Sequence, residues 1–267
     1  MMNCTLLTAV TVLIAIRTAV AADFATEVMD ATFKLSHPDS TATCFLVRRE
    51  APDTSYYLVT AAHVLELTKG ESAVLVLRQP KPDGSFERRE HTIPVRRKGK
   101  ELWVRHGKQD VAVLRLAGPP PVAVAALPAS VLADQARLKT AGVHVCSPLF
   151  VFTYPQRFEA NGAGFPVARQ GIFASSPLLP VPTHPTFLAD FTAFAGDSGG
   201  PVFISAADGH PLLAGIVVAQ SHSEERMKSE YEERTIRRPL GIGTVLHAEY
   251  VRETLEAAAK QNAPAAK

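Results

Sequence analysis

The amino-acid sequence predicts a mostly β protein with two strand-rich halves and a helix at its end. Short apolar, β-prone runs recur between about residue 30 and residue 245, and turn residues separate them. Proline and glycine are frequent, with 20 and 16 among 267 residues, as many short strands joined by turns require. Residues 118–121, Gly-Pro-Pro-Pro, interrupt this pattern. We therefore take residues 118–137 as the link between the two halves.

In the first half, each strand candidate is a short run of apolar and β-branched residues. The runs cover residues 45–47, 56–59, 74–77, 92–95, 102–104 and 111–116. A Pro-Asp-Gly turn signal at residues 82–84 separates the third run from the fourth.

The second half repeats this pattern and then changes character. Its strand candidates are residues 143–146, 150–152, 169–173, 202–204, 212–218 and 241–245. Residues 221–238 are dense in charge, and we expect them to form an exposed loop. Val251, Leu255 and Ala258 follow at helical spacing, which predicts a helix over 249–261.

The first 22 residues are predicted to be a signal peptide. Residues 6–16 are apolar and uncharged, and Ala-Val-Ala at 19–21 offers a small-residue cleavage site. No lysine or arginine precedes the apolar run, so the pattern is incomplete. An uncleaved anchor is the alternative, although the run is short for a membrane-spanning helix. We expect a secreted or periplasmic protein with no membrane contact after cleavage.

Composition and charge exclude some classes of partner. A net charge of +2 argues against nucleic acid as the main partner, and 46% apolar residues suffice for a large core. A basic stretch is interpreted as a solvated hairpin, with a patch for acidic substrates as the alternative; it contains Arg88, Arg89, Arg96, Arg97, Lys98, Lys100 and Arg105. The sequence has no metal-ligand spacing, phosphate loop or dinucleotide motif, so we expect no metal and no cofactor.

A serine between glycines is the centre of the functional prediction. Residues 195–201 read Ala-Gly-Asp-Ser-Gly-Gly-Pro, with Ser198 in the middle. Gly196 can adopt backbone angles closed to other residues, which lets successive N–H groups point at one developing oxyanion. A serine needs a base to take its proton. Thr-Ala-Ala-His at 60–63 supplies His63, and Asp110, before an apolar strand, supplies an orienting carboxylate.

These three motifs resemble those of the trypsin/chymotrypsin-like serine proteases, over about residues 30–256. The resemblance implies two six-stranded antiparallel β-barrels with the active site between them, followed by a C-terminal helix. Residues 23–117 would form the N-terminal barrel, 138–248 the C-terminal barrel, and 249–267 the helix and tail. No further domain is expected after the helix, so this is not the arrangement of protease plus PDZ domain.

The resemblance also implies a serine endopeptidase that acts on proteins or peptides through an acyl-enzyme. His63 would be the general base and then the general acid, Asp110 would orient it, and Ser198 would attack the scissile carbonyl. The N–H groups of Gly196 and Ser198 would form the oxyanion hole. A non-catalytic binding protein of the same fold and an esterase with the same triad are the alternatives, and the oligomeric state stays open.

Two departures from the family concern the serine turn and the substrate pocket. Trypsin-type relatives pair the aspartate before the serine with a new N-terminus, and no such terminus is visible near residues 22–24, so we expect Arg157 to pair with Asp197. The pocket floor lies six residues before the serine, which here is the uncharged Thr192, with Asp190 close by. The other expected pocket residues are Ala193, Val218, Gln220 and Gly241.

Two cysteines remain once the predicted signal peptide, which contains Cys4, is removed. Cys44 and Cys146 fall in different predicted barrels, and the residue after His63 is a valine where animal relatives usually have a bridged cysteine. We expect both thiols to be unpaired and mostly buried.

Overall fold

The computed structural model describes residues 24–38, 40–50, 54–122, 124–206, 210–229 and 231–261. The predicted signal peptide at 1–22 therefore lies outside the described residues. β-strands are the main secondary structure of the described chain, as predicted, and they pair within two separate units that meet at the functional site.

The first unit is a twisted antiparallel sheet with a short two-stranded ribbon beside it. Its strands are β1 (Thr32–His37), β2 (Ser40–Arg48), β3 (Tyr56–Thr60), β4 (Ser72–Pro80), β5 (Phe86–Pro94), β6 (Arg96–Arg97), β7 (Lys100–Glu101), β8 (Trp103–Arg105), β9 (Ala112–Arg115) and β10 (Leu127–Pro128). The order is β5-β4-β1-β2-β3-β9-β8, β10 adds to β2 in parallel, and β6 pairs with β7.

The first unit differs from the predicted barrel, because its sheet does not close among the described residues. β5 and β8 stand at opposite ends of the strand order. β5 is mostly exposed, its sequence Phe-Glu-Arg-Arg-Glu-His-Thr-Ile-Pro is rich in charge, and it ends in a proline. Charged side chains and proline at a sheet edge disfavour pairing with another strand.

The second unit is a closed barrel of six strands, as predicted. The strands are β11 (Pro148–Thr153), β12 (Val167–Phe173), β13 (Thr186–Asp190), β14 (Pro201–Ser205), β15 (Pro211–Lys228) and β16 (Glu233–His247). They close in the order β11-β12-β13-β16-β15-β14. β14 begins at Pro201, directly after the glycines that follow Ser198.

The segment predicted as a charged loop is part of a long β-hairpin. β15 and β16 continue past the barrel and pair from His222 with Pro239 to Lys228 with Glu233. Cross-strand ion pairs, including Glu224 with Arg237 at 2.9 Å, support this extension. Exposure of the segment is as expected, but its opposite charges stabilise strand pairing instead of keeping the chain irregular.

The described residues also form four α-helices. They are α1 (Phe24–Ala31), α2 (Ala62–Leu67), α3 (Gln135–Thr140) and α4 (Ala248–Gln261). The C-terminal helix is confirmed, and it buries Val251, Leu255 and Ala258, the residues whose spacing predicted it. The predicted link at 118–137 contains β10, a 3-10 turn at Ala129–Val131 and the start of α3.

Apolar side chains form one core inside each unit and a third between them. The third core joins Phe45 of β2 with Phe152 and Phe203 of the barrel, and α1 and α4 add Val28 and Val251 to it. Each Å² of buried apolar surface contributes about 25 cal/mol to stability, so this shared core links the two units strongly.

Candidate active site

His63 and Asp110 make a two-point contact within the first unit. The His63 ring Nδ1 lies 2.6 Å from Asp110 Oδ2, and the His63 backbone N–H donates to Asp110 Oδ1 at 2.9 Å. Both side chains are 35% exposed, so this pair borders solvent. A carboxylate on Nδ1 places the ring proton there and leaves Nε2 with its lone pair free to act as a base.

Helix α2 explains why His63 and Asp110 meet. The helix begins at Ala62, where its first N–H groups have no partner within the helix. Burial alone would raise the pKa of Asp110, but hydrogen bonds from the His63 ring and from the His63 and Ala62 N–H groups hold that pKa below its usual range. Asp110 is thus an ionised cap on α2 and a partner of its first-turn histidine.

The serine turn packs against the first unit through a glycine. Gly199 has φ +82°, and a Cβ there would collide with Thr60 Oγ1 and with the Thr43 carbonyl. The Thr43 N–H donates to the Ser198 carbonyl at 3.0 Å. Thr60 stands three residues before His63, so this close approach brings the serine turn of the barrel to the histidine segment of the sheet.

Two carbonyls before Ser198 in the serine turn accept hydrogen bonds from groups outside the turn. Gln156 N–H donates to the Ala195 carbonyl at 2.6 Å, and the Thr43 hydroxyl donates to the Gly196 carbonyl at 2.9 Å. A planar trans peptide directs its N–H opposite to its carbonyl. The Gly196 N–H therefore points away from Gln156. Among the described residues, no acceptor bonds to the N–H of Gly196 or of Ser198, so both donors stay available to a ligand.

Asp197 is paired with Arg169, which corrects the expectation for Arg157. Arg169 Nη2 lies 2.6 Å from Asp197 Oδ1, and the carboxylate is 1% exposed. The Thr153 hydroxyl donates to the same oxygen at 2.7 Å, and the Phe194 N–H donates to Oδ2 at 2.7 Å. A buried carboxylate needs such a set of donors to offset the loss of water.

Arg157 contributes backbone to a different contact. It ends the 3-10 turn Pro155–Arg157, has φ +69°, and its carbonyl accepts a hydrogen bond from Lys34 Nζ at 2.9 Å. The Arg169 side chain reaches Asp197 because strand β12 runs beside β11, where Val151 faces Arg169 and Thr153 lies two residues further on. The pairing of β12 with β11 places Arg169 next to Asp197, and this pairing could not be read from the sequence.

The structure brings together three of the expected pocket residues. The Thr192 N–H donates to the Gly241 carbonyl at 2.8 Å, and the Thr192 carbonyl accepts from Arg169 Nη1 at 2.8 Å. Thr192 has φ +58° and its side chain is exposed. Ala193, next in the chain, is 1% exposed and lies beside Gly243. Thr192 is thus joined directly to the arginine that pairs with Asp197.

The remaining pocket candidates lie on β15 and β13. Val218 is half-buried and packs against the junction core, and Gln220 is half-buried and pairs with Gly243 of β16. Asp190 ends β13 with an exposed side chain. Phe191 was not predicted, and its ring occupies the space where a Cβ of Gly243 would stand.

Three threonines and a glutamine at the site were missed by sequence reasoning. Thr43 and Gln156 hold the carbonyls of the serine turn, Thr60 donates to the Thr43 carbonyl at 2.8 Å, and Thr153 bonds Asp197. Their positions follow from strand pairing between distant segments. The only local signal is a buried threonine at the end of an otherwise apolar strand, as at Thr153 of β11.

Among the described residues, neither the basic stretch nor the cysteines bond His63, Asp110 or Asp197. Arg88 pairs with Glu159 at 2.6 Å, Arg105 pairs with Glu66 at 3.1 Å, and Arg96 donates to the Leu65 carbonyl at 2.7 Å. Internal partners thus occupy several of these cations, in line with the hairpin interpretation. Both described cysteines are unpaired.

Burial was correct for Cys44 and wrong for Cys146. Cys44 is fully buried in β2, whereas Cys146 is exposed in a turn with φ +69°. The run 143–146 forms no strand, because Val143 and Cys146 lie in the turn structure between α3 and β11.

The described residues contain neither a metal-binding cluster nor a membrane-spanning helix. No group of three or more His, Cys, Asp or Glu side chains in this part of the chain is arranged to hold a metal ion. Within the same residues, none of the helices has the length and apolar character needed to cross a membrane.

Known proteins resemble this chain both in sequence family and in structure. A family model described as a trypsin-like peptidase domain matches residues 42–212. The crystal structure of Rv3671c from M. tuberculosis H37Rv, as a serine-to-alanine mutant in its inactive form, is 18% identical, with 91% of this chain and 93% of that chain covered and a TM-score of 0.46. The Rv3671c protease in its inactive form is 17% identical, with 88% and 92% covered and a TM-score of 0.45. No curated protein sequence matched the chain.

Proposed function

The chain belongs to the trypsin-like peptidase domain family, and from that premise we propose that it is a serine endopeptidase whose triad is His63, Asp110 and Ser198. The observation that supports this proposal most is the geometry of the serine turn. Its carbonyls are bonded to Gln156 and Thr43, while the N–H groups of Gly196 and Ser198 have no acceptor among the described residues.

In the proposed acylation step, Ser198 Oγ attacks the carbonyl carbon of the scissile peptide. His63 Nε2 takes the hydroxyl proton, and the carbonyl π electrons move to oxygen, which becomes an oxyanion between the Gly196 and Ser198 N–H groups. Asp110, bonded to Nδ1 at 2.6 Å, stabilises the imidazolium. When the intermediate collapses, the C–N bond breaks and the leaving nitrogen receives the proton from His63.

Deacylation repeats these roles with water. His63 takes a proton from a water molecule, whose oxygen attacks the Ser198 ester, and the second oxyanion occupies the same two N–H groups. Collapse breaks the ester C–O bond and returns the proton to Ser198. One such N–H donor contributes about 2.7–4 kcal/mol to lowering the barrier.

The pocket residues support a preference for uncharged side chains before the cut bond. Thr192 at the floor has no carboxylate to bind Lys or Arg, and Asp190 is exposed at the end of β13. Small or medium apolar side chains, or uncharged polar ones, fit this floor best. Selectivity should be broad, because one methylene in such a pocket is worth about 1–3 kcal/mol.

We also propose that the chain is exported and acts outside the cytoplasm. The support is the sequence of residues 1–22, with its apolar run and its Ala-Val-Ala site. Protein or peptide substrates follow from the family, and no nucleic-acid partner is proposed.

Cleavage of a proteome-derived peptide library tests the proposed function. We expect internal cuts after uncharged residues by the purified chain and none by Ser198→Ala, a variant that removes one oxygen atom. Hydrolysis of activated esters without any peptide cleavage would favour the esterase alternative. A strict Lys or Arg preference would show that Asp190 or another acid lines the pocket.

A further inference from the structure

A buried arginine lies between the two units, away from the groups used in the proposed mechanism. Arg78 of β4 is 4% exposed. Its guanidinium carbon lies 4.5 Å from the centroid of the Phe33 ring and 4.7 Å from the centroid of the Phe165 ring. The two aromatic faces hold the plane of the guanidinium and contribute cation–π attraction.

The guanidinium edges are satisfied by five oxygens from both units. Nη2 donates to two carbonyls in the last turn of α1, and Nη1 donates to one carbonyl of β1 and to two oxygens of the second unit. The acceptors are Met29 O at 3.0 Å, Asp30 O at 2.9 Å, Thr32 O at 2.8 Å, Gly164 O at 3.3 Å and the Tyr154 hydroxyl at 3.3 Å.

This arrangement requires arginine. The carbonyls at the end of a helix lack partners within it, and a cation beside them is favourable. Burial lowers the pKa of Arg78, which Tyr154 and Asp30 oppose. A guanidinium nonetheless stays protonated in proteins and offers five donors in one plane, whereas a lysine offers three from a single point.

Tyr154 connects Arg78 to the serine turn. Its hydroxyl bonds the Gly164 carbonyl at 2.9 Å, and its ring is fully buried. Its N–H donates to the Thr43 hydroxyl at 3.1 Å, the group that holds the Gly196 carbonyl. Its own carbonyl lies so close to Gly196 that a Cβ on that glycine would collide with it.

The next residues of the same segment complete the connection. Gln156, two positions after Tyr154, donates its N–H to the Ala195 carbonyl and so orients the Ala195–Gly196 peptide. A second anchor stands beside the first, because Lys34 Nζ donates to the Arg157 carbonyl at 2.9 Å and pairs with Glu159 at 2.7 Å. Two side chains of the first unit, Arg78 and Lys34, therefore hold residues 154–164.

We propose that Arg78 is a positioning residue for the oxyanion hole, acting through Tyr154 with helix α1 as its support. By fixing Tyr154, Arg78 keeps Gln156 and Thr43 on the carbonyls of Ala195 and Gly196, so that the Gly196 N–H faces the reacting carbonyl. The segment Phe24–Ala31 takes part, since its last carbonyls hold one edge of the guanidinium. This inference rests on the proposed function.

Kinetics of Arg78→Lys, Arg78→Met and Tyr154→Phe test the proposal. Tyr154→Phe removes a single hydroxyl and keeps the ring in its core, so we expect this variant to fold. We expect kcat on a peptide substrate to fall about tenfold or more in Arg78→Met, a part of the loss seen when an oxyanion donor is removed, with KM within about twofold. Arg78→Lys and Tyr154→Phe should lose less.

A transition-state inhibitor separates positioning from general stability. The affinity for a peptide aldehyde, whose serine adduct has an oxyanion, should fall in proportion to kcat/KM, while affinity for the matching peptide alcohol stays unchanged. Leu138→Ala in α3 is the control: it removes buried apolar contacts in the core of the second unit and should lower stability without changing kcat at a temperature where the protein is folded.

The outcomes distinguish this proposal from the proposed function. Wild-type aldehyde affinity and kcat in folded Tyr154→Phe and Arg78→Lys would overturn the role of Arg78 while leaving the triad intact. Absence of both peptide cleavage and aldehyde binding in the wild-type protein would instead overturn the proposed function.

Discussion

Two aspartates support the site from opposite units, and they differ in burial and in partner. Asp110 is 35% exposed and bonds a histidine, whereas Asp197 is 1% exposed and bonds an arginine. In the proposed mechanism, the partner of Asp110 gains and loses a proton in each turnover, and a histidine at the solvent border fits that role. The partner of Asp197 also bonds the Thr192 carbonyl, so that pair holds the serine turn in place.

The largest effect on turnover is expected from Asp110→Asn. The amide keeps the size of the side chain but donates to Nδ1, which places the proton of His63 on Nε2 and removes the base. We expect kcat to fall by about 10⁴-fold. Thermal unfolding should show a folded protein, since the pair borders solvent. A kcat within tenfold of wild type would contradict the assigned role of Asp110.

Arg169→Met should act first on stability and, through the serine turn, on activity. It leaves the Asp197 carboxylate buried without its cation, which typically costs about 3–5 kcal/mol of unfolding free energy. Adding Asp197→Asn should recover part of that loss, because no bare charge remains. Urea unfolding measures both variants.

Arg157→Ala is the matched control for Arg169→Met. The Asp197 carboxylate bonds Arg169, Thr153 and the Phe194 N–H, so Arg157→Ala leaves the partners of Asp197 in place. Equal losses in the two variants would return Arg157 to the role that the sequence suggested.

A third ionisable group extends the comparison to pH. His247 is 1% exposed against the Phe187 ring, and burial lowers its pKa to about 4, with the Leu178 backbone opposing and His184 adding to the shift. The unfolded chain, with a histidine pKa near 6.5, takes up this proton first as pH falls. Stability should therefore be intact near pH 7 and decline between about pH 6.5 and pH 4.

The variant His247→Phe measures the size of that pH effect. Relative to this variant, the wild type should lose about 2–3 kcal/mol of unfolding free energy between pH 7 and about pH 4.5. Urea unfolding across this range is the measurement. Parallel pH curves for the two proteins would show that His247 is not buried as a neutral ring.

The smallest effect is expected at the cysteines, which lie outside the contacts of both aspartates. Cys146 is exposed and should be alkylated in the native protein with no change in kcat, while burial raises the pKa of Cys44 and protects it until unfolding. Denaturing alkylation without reduction should add two labels to a mature chain. Three labels would mean that Cys4 is retained and the signal peptide is uncleaved, and no labels would mean a disulfide.

Short-range patterns predicted the parts of the fold that depend on local sequence. The helix at Ala248–Gln261 was predicted from its apolar spacing, and the strands around Phe45 and Tyr57 from their β-prone runs. The first unit was predicted to be a closed barrel, but its sheet stays open among the described residues. Closure would require the charged strand β5 to pair with the other end of the sheet, and the sequence does not show whether it does. The long β15–β16 hairpin was missed, because its opposite charges face each other only once the two strands have paired.

The candidate site shows the same division. His63, Asp110 and Ser198 could be predicted because each stands in a motif of its own, and their catalytic roles stay a prediction. The partner of Asp197 was assigned to the wrong arginine, since only the pairing of β11 with β12 places Arg169 near Asp197, while Arg157 lies in a 3-10 turn. Thr43 was not anticipated at all, because its role exists only where β2 meets the serine turn of the other unit.

The central claim is that Ser198 is a nucleophile activated by His63. Reaction with a fluorophosphonate and mass mapping of the adduct test it most directly, because phosphonylation requires an activated hydroxyl but no knowledge of the substrate. We predict one adduct, on Ser198, that forms in the wild-type protein and is slowed strongly in His63→Ala. A wild-type protein that is folded and yields no adduct, or an adduct on another residue that His63→Ala leaves unchanged, would contradict the assignment.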